Sequence, residues 1–244
     1  MFKVSEDKKT QMFRGHKNAT GHEALRGCPG ATKGVGGCAD LCYVHNMTRL
    51  RPKTAFVLEK NLSLLSEAKS KEDFISLLEP GVLVSEQQHA RKLQKMRRSR
   101  SKENRRLFRR LLRGNIFRHH WSGDVLNRTH AEALVAIAER NPQTTFWIYT
   151  RTWWCVKHLL GTQNLIVNLS VDKVNEAIMR DVWDKMGHKP ELRLTWMGDN
   201  PPQWMGDVVD CPAVGKKRSW LRACSKCKLC LHKRNKYSVR FQIH

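Results

Sequence analysis

Between residues 115 and 196 the chain alternates between two kinds of apolar pattern, and this alternation limits its fold more than any other feature. Residues 115–121 read as a strand, and residues 127–140 as a helix with Ala131, Leu134, Val135 and Ala138 on one face. Residues 144–149 are β-branched and aromatic, a strand; 153–160 form a short helix; 165–169 a strand; 173–186 a helix; and 192–196 a strand. Strands separated by helices with short connections predict a parallel sheet covered by helices. An open sheet, a partial barrel and a full barrel share this signature. Eight complete units need about 250 residues, and this chain of 244 also carries a cysteine-rich tail, which argues against a complete barrel. Upstream, residues 43 to about 68 read as helical apart from Pro52, and helical character resumes from about 85 to 113. Gly27, Gly30, Gly34, Gly36, Gly37 and Pro29 mark an irregular loop wrapped around something.

Seven of the eight cysteines fall in two groups flanking the alternating region, and Cys155 stands alone inside it. No apolar run approaches the ~18 residues of a membrane-spanning helix, and the first residues lack the apolar stretch of a secretory signal. The expectation is a soluble, intracellular protein, whose thiols serve as metal ligands or stay free rather than pairing as disulfides. Cys224, Cys227 and Cys230 stand at successive x2 spacings, and Cys211 can complete a tetrahedron. Four thiolates suit structural zinc or an iron–sulfur cluster equally, and the surrounding lysines are expected to lower the thiol pKa values. Cys28, Cys38 and Cys42 form the other group, at x9 and x3 spacing. With His22 or His45 as a fourth ligand they make a zinc site. As three ligands they suit a 4Fe–4S cluster with one iron open.

The formal charge is +23, and it is concentrated. Residues 91–113 hold 12 basic residues and one acid, Glu103, while residues 216–244 hold 10 basic residues and no acid. These segments supply 21 of the 23 net charges, so the rest of the chain is close to neutral. Charge gathered in this way attracts polyanions by counterion release. The candidate nucleic-acid contacts are Arg97, Arg98, Arg100, Arg105, Arg106, Arg109 and Arg110, with Lys216, Lys217 and Arg218 in the second segment. DNA and RNA fit alike. An acidic protein, such as a polymerase or nuclease subunit, is the alternative partner, and a merely solvated helix face is the simplest reading of such a run.

The ends of the predicted strands are polar. Ser122-Gly123-Asp124 follows the first, Tyr149-Thr150-Arg151 ends the second, and Asn168, Ser170 and Asp172 end the third. In parallel α/β structures ligands bind at this edge, although Asp124 would also suit the start of the helix that follows. His119 and His120 read as packing or hydrogen-bonding residues and Cys155 as a small buried hydrophobe; Trp153 and Trp154 read as core or surface anchors, and core packing leads base stacking for Trp196, Trp204 and Trp220.

These elements together resemble the phage gene product 88 family and, more distantly, radical S-adenosylmethionine (SAM) proteins. The residues that carry the resemblance are Cys28-Pro29-Gly30, Cys42-Tyr43, Phe117-Arg118 with His120 and Ser122-Gly123-Asp124, Tyr149-Thr150-Arg151, Asn164-Leu165, Ser170, Cys211-Pro212, the late cysteines, Tyr237 and His244. The radical-SAM resemblance implies a partial (β/α) barrel. It further implies a 4Fe–4S cluster on Cys28, Cys38 and Cys42 that binds SAM and cleaves it to a deoxyadenosyl radical. It makes Tyr43, Ser122, Gly123, Asp124, Arg151 and Ser170 cofactor contacts, and leaves zinc or a second cluster for Cys211, Cys224, Cys227 and Cys230. The early spacing departs from the x3 and x2 usual there, and Tyr43 follows the third cysteine rather than preceding it. The domain reading is an α/β body over residues 1–205, with a basic helical insertion at about 85–113, and a basic metal-binding extension over 206–244. For a phage-encoded chain the compartment is the host cytoplasm. Two functions follow: an iron–sulfur enzyme acting on nucleic acid, or a non-catalytic nucleic-acid-binding protein whose metals hold the fold.

Overall fold

The computed structural model describes residues 1–6, 12–99, 101–212, 224, 227–231 and 237–241. Arg100, Lys216, Lys217, Arg218, Trp220 and His244 lie outside the described residues. Six strands form one sheet: β1 (Asn115–Arg118), β2 (Thr144–Thr150), β3 (Leu165–Val171), β4 (Leu192–Met197), β5 (Val208–Asp210) and β6 (Ser238–Phe241). Their order is β1-β2-β3-β4-β6-β5, and every neighbouring pair is parallel. β1 and β5 are free ends of this order, so the barrel is not closed. β5 and β6 come from residues 206–244, so the cysteine-rich segment contributes two strands to the same sheet as the alternating region.

Among the described residues there are seven α-helices: α1 (Tyr43–Leu50), α2 (Pro52–Glu67), α3 (Lys71–Arg97), α4 (Lys102–Leu111), α5 (Arg128–Arg140), α6 (Val156–Leu159) and α7 (Glu176–Lys185). The predicted breaker Pro52 starts α2, where its missing N–H costs nothing. Ser70 and Asp73 form a reciprocal cap that starts α3 well before residue 85. That helix then runs through Pro80. Phe74, Ile75, Leu78 and Val82 are buried on it and lie against α5 and the sheet, so core contact outweighs the roughly 3 kcal/mol a helical proline costs. The predicted strand over 115–121 stops at Arg118, and the helix over 153–160 splits into a 3-10 turn at Trp153–Cys155 and the single turn of α6.

The two faces of the sheet differ. Phe117, Phe146, Ile148, Leu165, Val167, Leu169, Leu192, Leu194 and Trp196 face the helices and form the main core with residues of α3, α5, α6 and α7. The alternate residues, among them Ile116, Arg118, Trp147, Tyr149, Ile166, Ser170 and Met197, lie on the inner face, where the cysteine-bearing segments meet the sheet. Burial on both faces is what a parallel sheet requires. The N-terminal segment covers the β1 edge, with Ser5 bridging Ala19 and Ala19 bridging Arg118. No helix among the described residues is long and apolar enough to cross a membrane.

Leu134 is fully buried in α5 at the centre of this core. Leu134→Ala is expected to cost about 2–5 kcal/mol, read as a lower urea midpoint with the slope of the transition unchanged.

Candidate functional site

The glycine-rich loop that carries the early cysteines is fastened in turn to the ends of three strands. After β1 the chain bends through His120, at φ 54°, and Gly123, at φ 80°. The Ser122 hydroxyl donates to the His22 carbonyl at 2.6 Å, and the His22 N–H donates to the Ser122 carbonyl at 3.0 Å. The Asp124 N–H donates to the Gly27 carbonyl at 2.8 Å. A side chain on Gly123 would strike the His22 ring, so this glycine is required twice over. The Asp124 carboxylate accepts from the Val125 and Arg151 backbone N–H groups, each at 2.7 Å, and so joins the ends of β1 and β2. Burial pushes its pKa upward, opposed by these hydrogen bonds.

Gly30 lies directly against the backbone of Arg151 and Thr152, with no room for a side chain. At the end of β3, the buried Asp172 accepts from the Thr32 hydroxyl at 2.6 Å and pairs with Arg151 at 3.3 Å. Thr32 in turn accepts the Cys38 N–H at 2.8 Å. The loop therefore touches β1 at Gly27, β2 at Gly30 and β3 at Thr32.

These contacts enclose a cavity of about 570 Å³ on the inner face of the sheet. Cys28, Cys38 and Cys42 line it, and so do Cys211, Cys224, Cys227 and Cys230. Ser122, Gly123, Asp124, Arg151 and Ser170 line it as well. Tyr43 is the first residue of α1, directly after Cys42. Cys155 is buried in the main core, away from this group. Neither His22 nor His45 lines the cavity: the His22 ring donates to the Gly27 carbonyl at 2.9 Å, and His45 is exposed on α1. The early group therefore presents three cysteines and no histidine.

All eight thiols are free, and burial pushes both Cys28 and Cys230 up to about 12. Desolvation is the largest cause at each, and of the lysines expected to lower the late thiols, Lys216, Lys217, Lys226 and Lys233 lie outside the described residues. The buried Arg193 stands within charge reach of Cys230 and offers a cation to a thiolate-bound centre. No group of three or more His, Cys, Asp or Glu side chains among the described residues converges closely enough to hold a metal ion as it stands. Cysteine is the donor type that zinc and iron–sulfur centres use, and seven cysteines share this cavity without forming a ligand set as placed.

The basic residues separate. Arg97 and Arg98 are exposed at the end of α3, and Arg105, Arg106 and Arg109 are exposed on α4, none with an ion-pair partner among the described residues. Arg110 differs: it is half-buried, and its guanidinium donates to the Met12 carbonyl at 2.8 Å, which makes it a tie for the N-terminal segment. Trp196 is core, and Trp204 donates to Glu176 at 3.1 Å. Trp153 and Trp154 are partly exposed and pack edge to face.

Sequence spacing gives no hint that His22, His119, His120 and His130 meet. All four are buried, with His120 and His130 sharing a hydrogen bond at 3.1 Å and the His22 ring edge-on to His120 at 4.7 Å. His119 stacks on Phe146 at 5.1 Å, and neither of its ring nitrogens has a partner among the described residues.

The profile of the family described as "Gene product 88" matches residues 3–233. A "Gene 88 protein" of Mycobacterium phage L5 is 27% identical over 213 residues, covering 85% of this chain and 79% of that protein. A "Gene 88 protein" of Mycobacterium phage D29 is 25% identical over 214 residues, with the same shares covered. No solved structure matches.

The buried histidines set an acid limit. Burial lowers His22 to about 4 and His119 to about 3, whereas an unfolded histidine titrates near ~6.5. Below that value the unfolded chain binds protons that the folded chain refuses. Stability is therefore complete above pH ~6.5 and falls toward pH 4, by roughly 1.4 kcal/mol per pH unit per histidine. His119→Phe should keep the stacking, fold normally at neutral pH and flatten this slope by one histidine's share, as measured by urea unfolding from pH 4 to 8.

Proposed function

The chain belongs to the gene product 88 family, and on that premise we propose that it is an iron–sulfur protein resembling radical SAM enzymes, acting on nucleic acid. The observation that carries this reading is the convergence of seven cysteines on one cavity beside the C-terminal ends of β1, β2 and β3. That edge of a parallel sheet is where ligands bind. Cys28, Cys38 and Cys42 would hold a 4Fe–4S cluster, and Cys211, Cys224, Cys227 and Cys230 zinc or a second cluster. A cluster with one open iron supplies reductive cleavage of SAM; the protein supplies position, charge and shelter from water.

The residues present suit those tasks. The Asp124 backbone N–H and the Asp172 carboxylate hold the cysteine loop against the strand ends, at Gly27 and Thr32. Arg151, fixed by Asp172, offers a cation to a carboxylate-bearing ligand, and Ser170 lies on the same wall. Arg193 and Arg118 offset the negative charge of thiolate ligands. The exposed arginines of α3 and α4 offer a phosphate-binding surface.

A second reading is favoured by one observation. Ser122 and Asp124 direct their side chains to backbone groups of the fold itself. On that reading the strand-end motif is scaffold, the metals are structural zinc, and the protein binds nucleic acid without chemistry.

Anaerobic purification separates the two. The first reading expects a brown protein with about four iron and four sulfide per cluster, a spectrum altered by SAM, and loss of that cluster in Cys28→Ala. A colourless protein whose cysteines hold only zinc, with no response to SAM, would establish the second.

A further inference from the structure

We propose that the cavity receives an unpaired base of a single-stranded nucleic acid whose phosphates lie along the exposed cations of α4. The inference rests on the cavity being the working site, and not on which metal its cysteines hold. Arg105, Arg106 and Arg109 face solvent on α4 without a carboxylate partner among the described residues, and Arg97 and Arg98 continue the patch. The positive charge runs on into the cavity. Lys228 lines it and stands within charge reach of both Arg110 and Arg113. Arg118 and Arg151 line it too. Asp124, the one carboxylate among its described lining residues, is already held by backbone N–H groups. Such an interior favours an anionic guest.

Its floor is aromatic. Trp147 meets Tyr149 edge to face at 5.2 Å, and Tyr149 meets Phe241 the same way at 5.7 Å. The Arg118 guanidinium lies over Trp147 at 4.9 Å and over Tyr149 at 5.3 Å. Trp147 is buried beneath Arg118, so the flat groups left for a nucleobase to stack on, whichever base it is, are the half-buried Arg118, Tyr149 and Phe241. A base inside a duplex reaches such a recess only by leaving its stack, so an unpaired strand is the form that fits. An acidic protein would match the outer charge but would leave this interior without a role. DNA and RNA share the phosphate and the base, and the test separates them.

The full-length protein is titrated with short single-stranded DNA, single-stranded RNA and their duplexes, each carrying one 2-aminopurine, over a range of salt. Single strands of one or both kinds are expected to bind about tenfold or more tighter than duplexes, with the 2-aminopurine emission quenched on binding. Which single strand is quenched identifies the source of the ligand. The variant carrying Arg105→Gln, Arg106→Gln and Arg109→Gln should lower the salt slope by about 2 with an unchanged melting midpoint. Phe241→Leu should keep the salt slope and lose most of the quenching. Duplex binding as tight as single-strand binding, binding without quenching, or binding of poly-glutamate in place of oligonucleotide would each overturn the proposal. Iron assayed on the same samples keeps the two readings apart. Quenching by iron-free protein leaves this inference standing alone, and iron-loaded protein without quenching removes it alone.

Discussion

Two buried carboxylates decide where everything else at the site can be. Asp124 ties the end of β1 to the end of β2, and Asp172 ties the end of β3 to Arg151 and to the cysteine loop through Thr32. Backbone N–H groups anchor both: two donate to Asp124, and those of Val174 and Asn175 donate to Asp172 beside the Thr32 hydroxyl and the Arg151 guanidinium. A carboxylate satisfied by backbone groups is fixed by the fold rather than by flexible partners, and it passes that rigidity to whatever it holds. The loop from Gly27 to Cys42 has little regular structure of its own, so its geometry is inherited from three strand ends.

The thiols show the opposite electrostatics. Cys28 and Cys230 sit where water is scarce, and both stay protonated at neutral pH with nothing bound. A metal centre there would have to displace protons as it bound, which couples loading to pH. Arg193, which stands near Cys230, and Arg118, which lines the same cavity, are the cations placed to offset the charge of such a centre. Arg118 serves both proposals, as a cation beside a thiolate centre and as a flat group over Trp147 and Tyr149 on which a base can stack.

Much of the sheet was readable in advance, and the reasons for the rest are specific. β1 to β4 and the helices between them follow from local periodicity, because each buries one continuous face. The first half of α3 was hidden by Pro80 and Gly81, whose local preference is overruled by four buried apolar side chains. β5 and β6 are three and four residues long and lie among lysines and cysteines, too short for a pattern to stand out. Cysteine spacing announced two metal-type groups, yet spacing along the chain is silent on whether two groups share a cavity. The histidine cluster is the extreme case, since His22 and His130 are separated by the whole of α1 to α4 and meet only through tertiary contact. Arg110 shows the converse: its sequence context matches the exposed arginines beside it, and only the Met12 carbonyl distinguishes it.

The sheet order has a consequence for how the molecule is made. β6 lies between β4 and β5, so residues 238–241 are the wedge that connects β5 to the rest of the sheet. The cavity likewise draws walls from residues 24–44 and again from residues 211–241. During synthesis the last early cysteine, Cys42, emerges 169 residues before the first late one, Cys211, and long-range parallel pairing is slow to form. The site therefore cannot be complete before residues 211–241 have been made, and until then the first thiols lack the walls those residues supply.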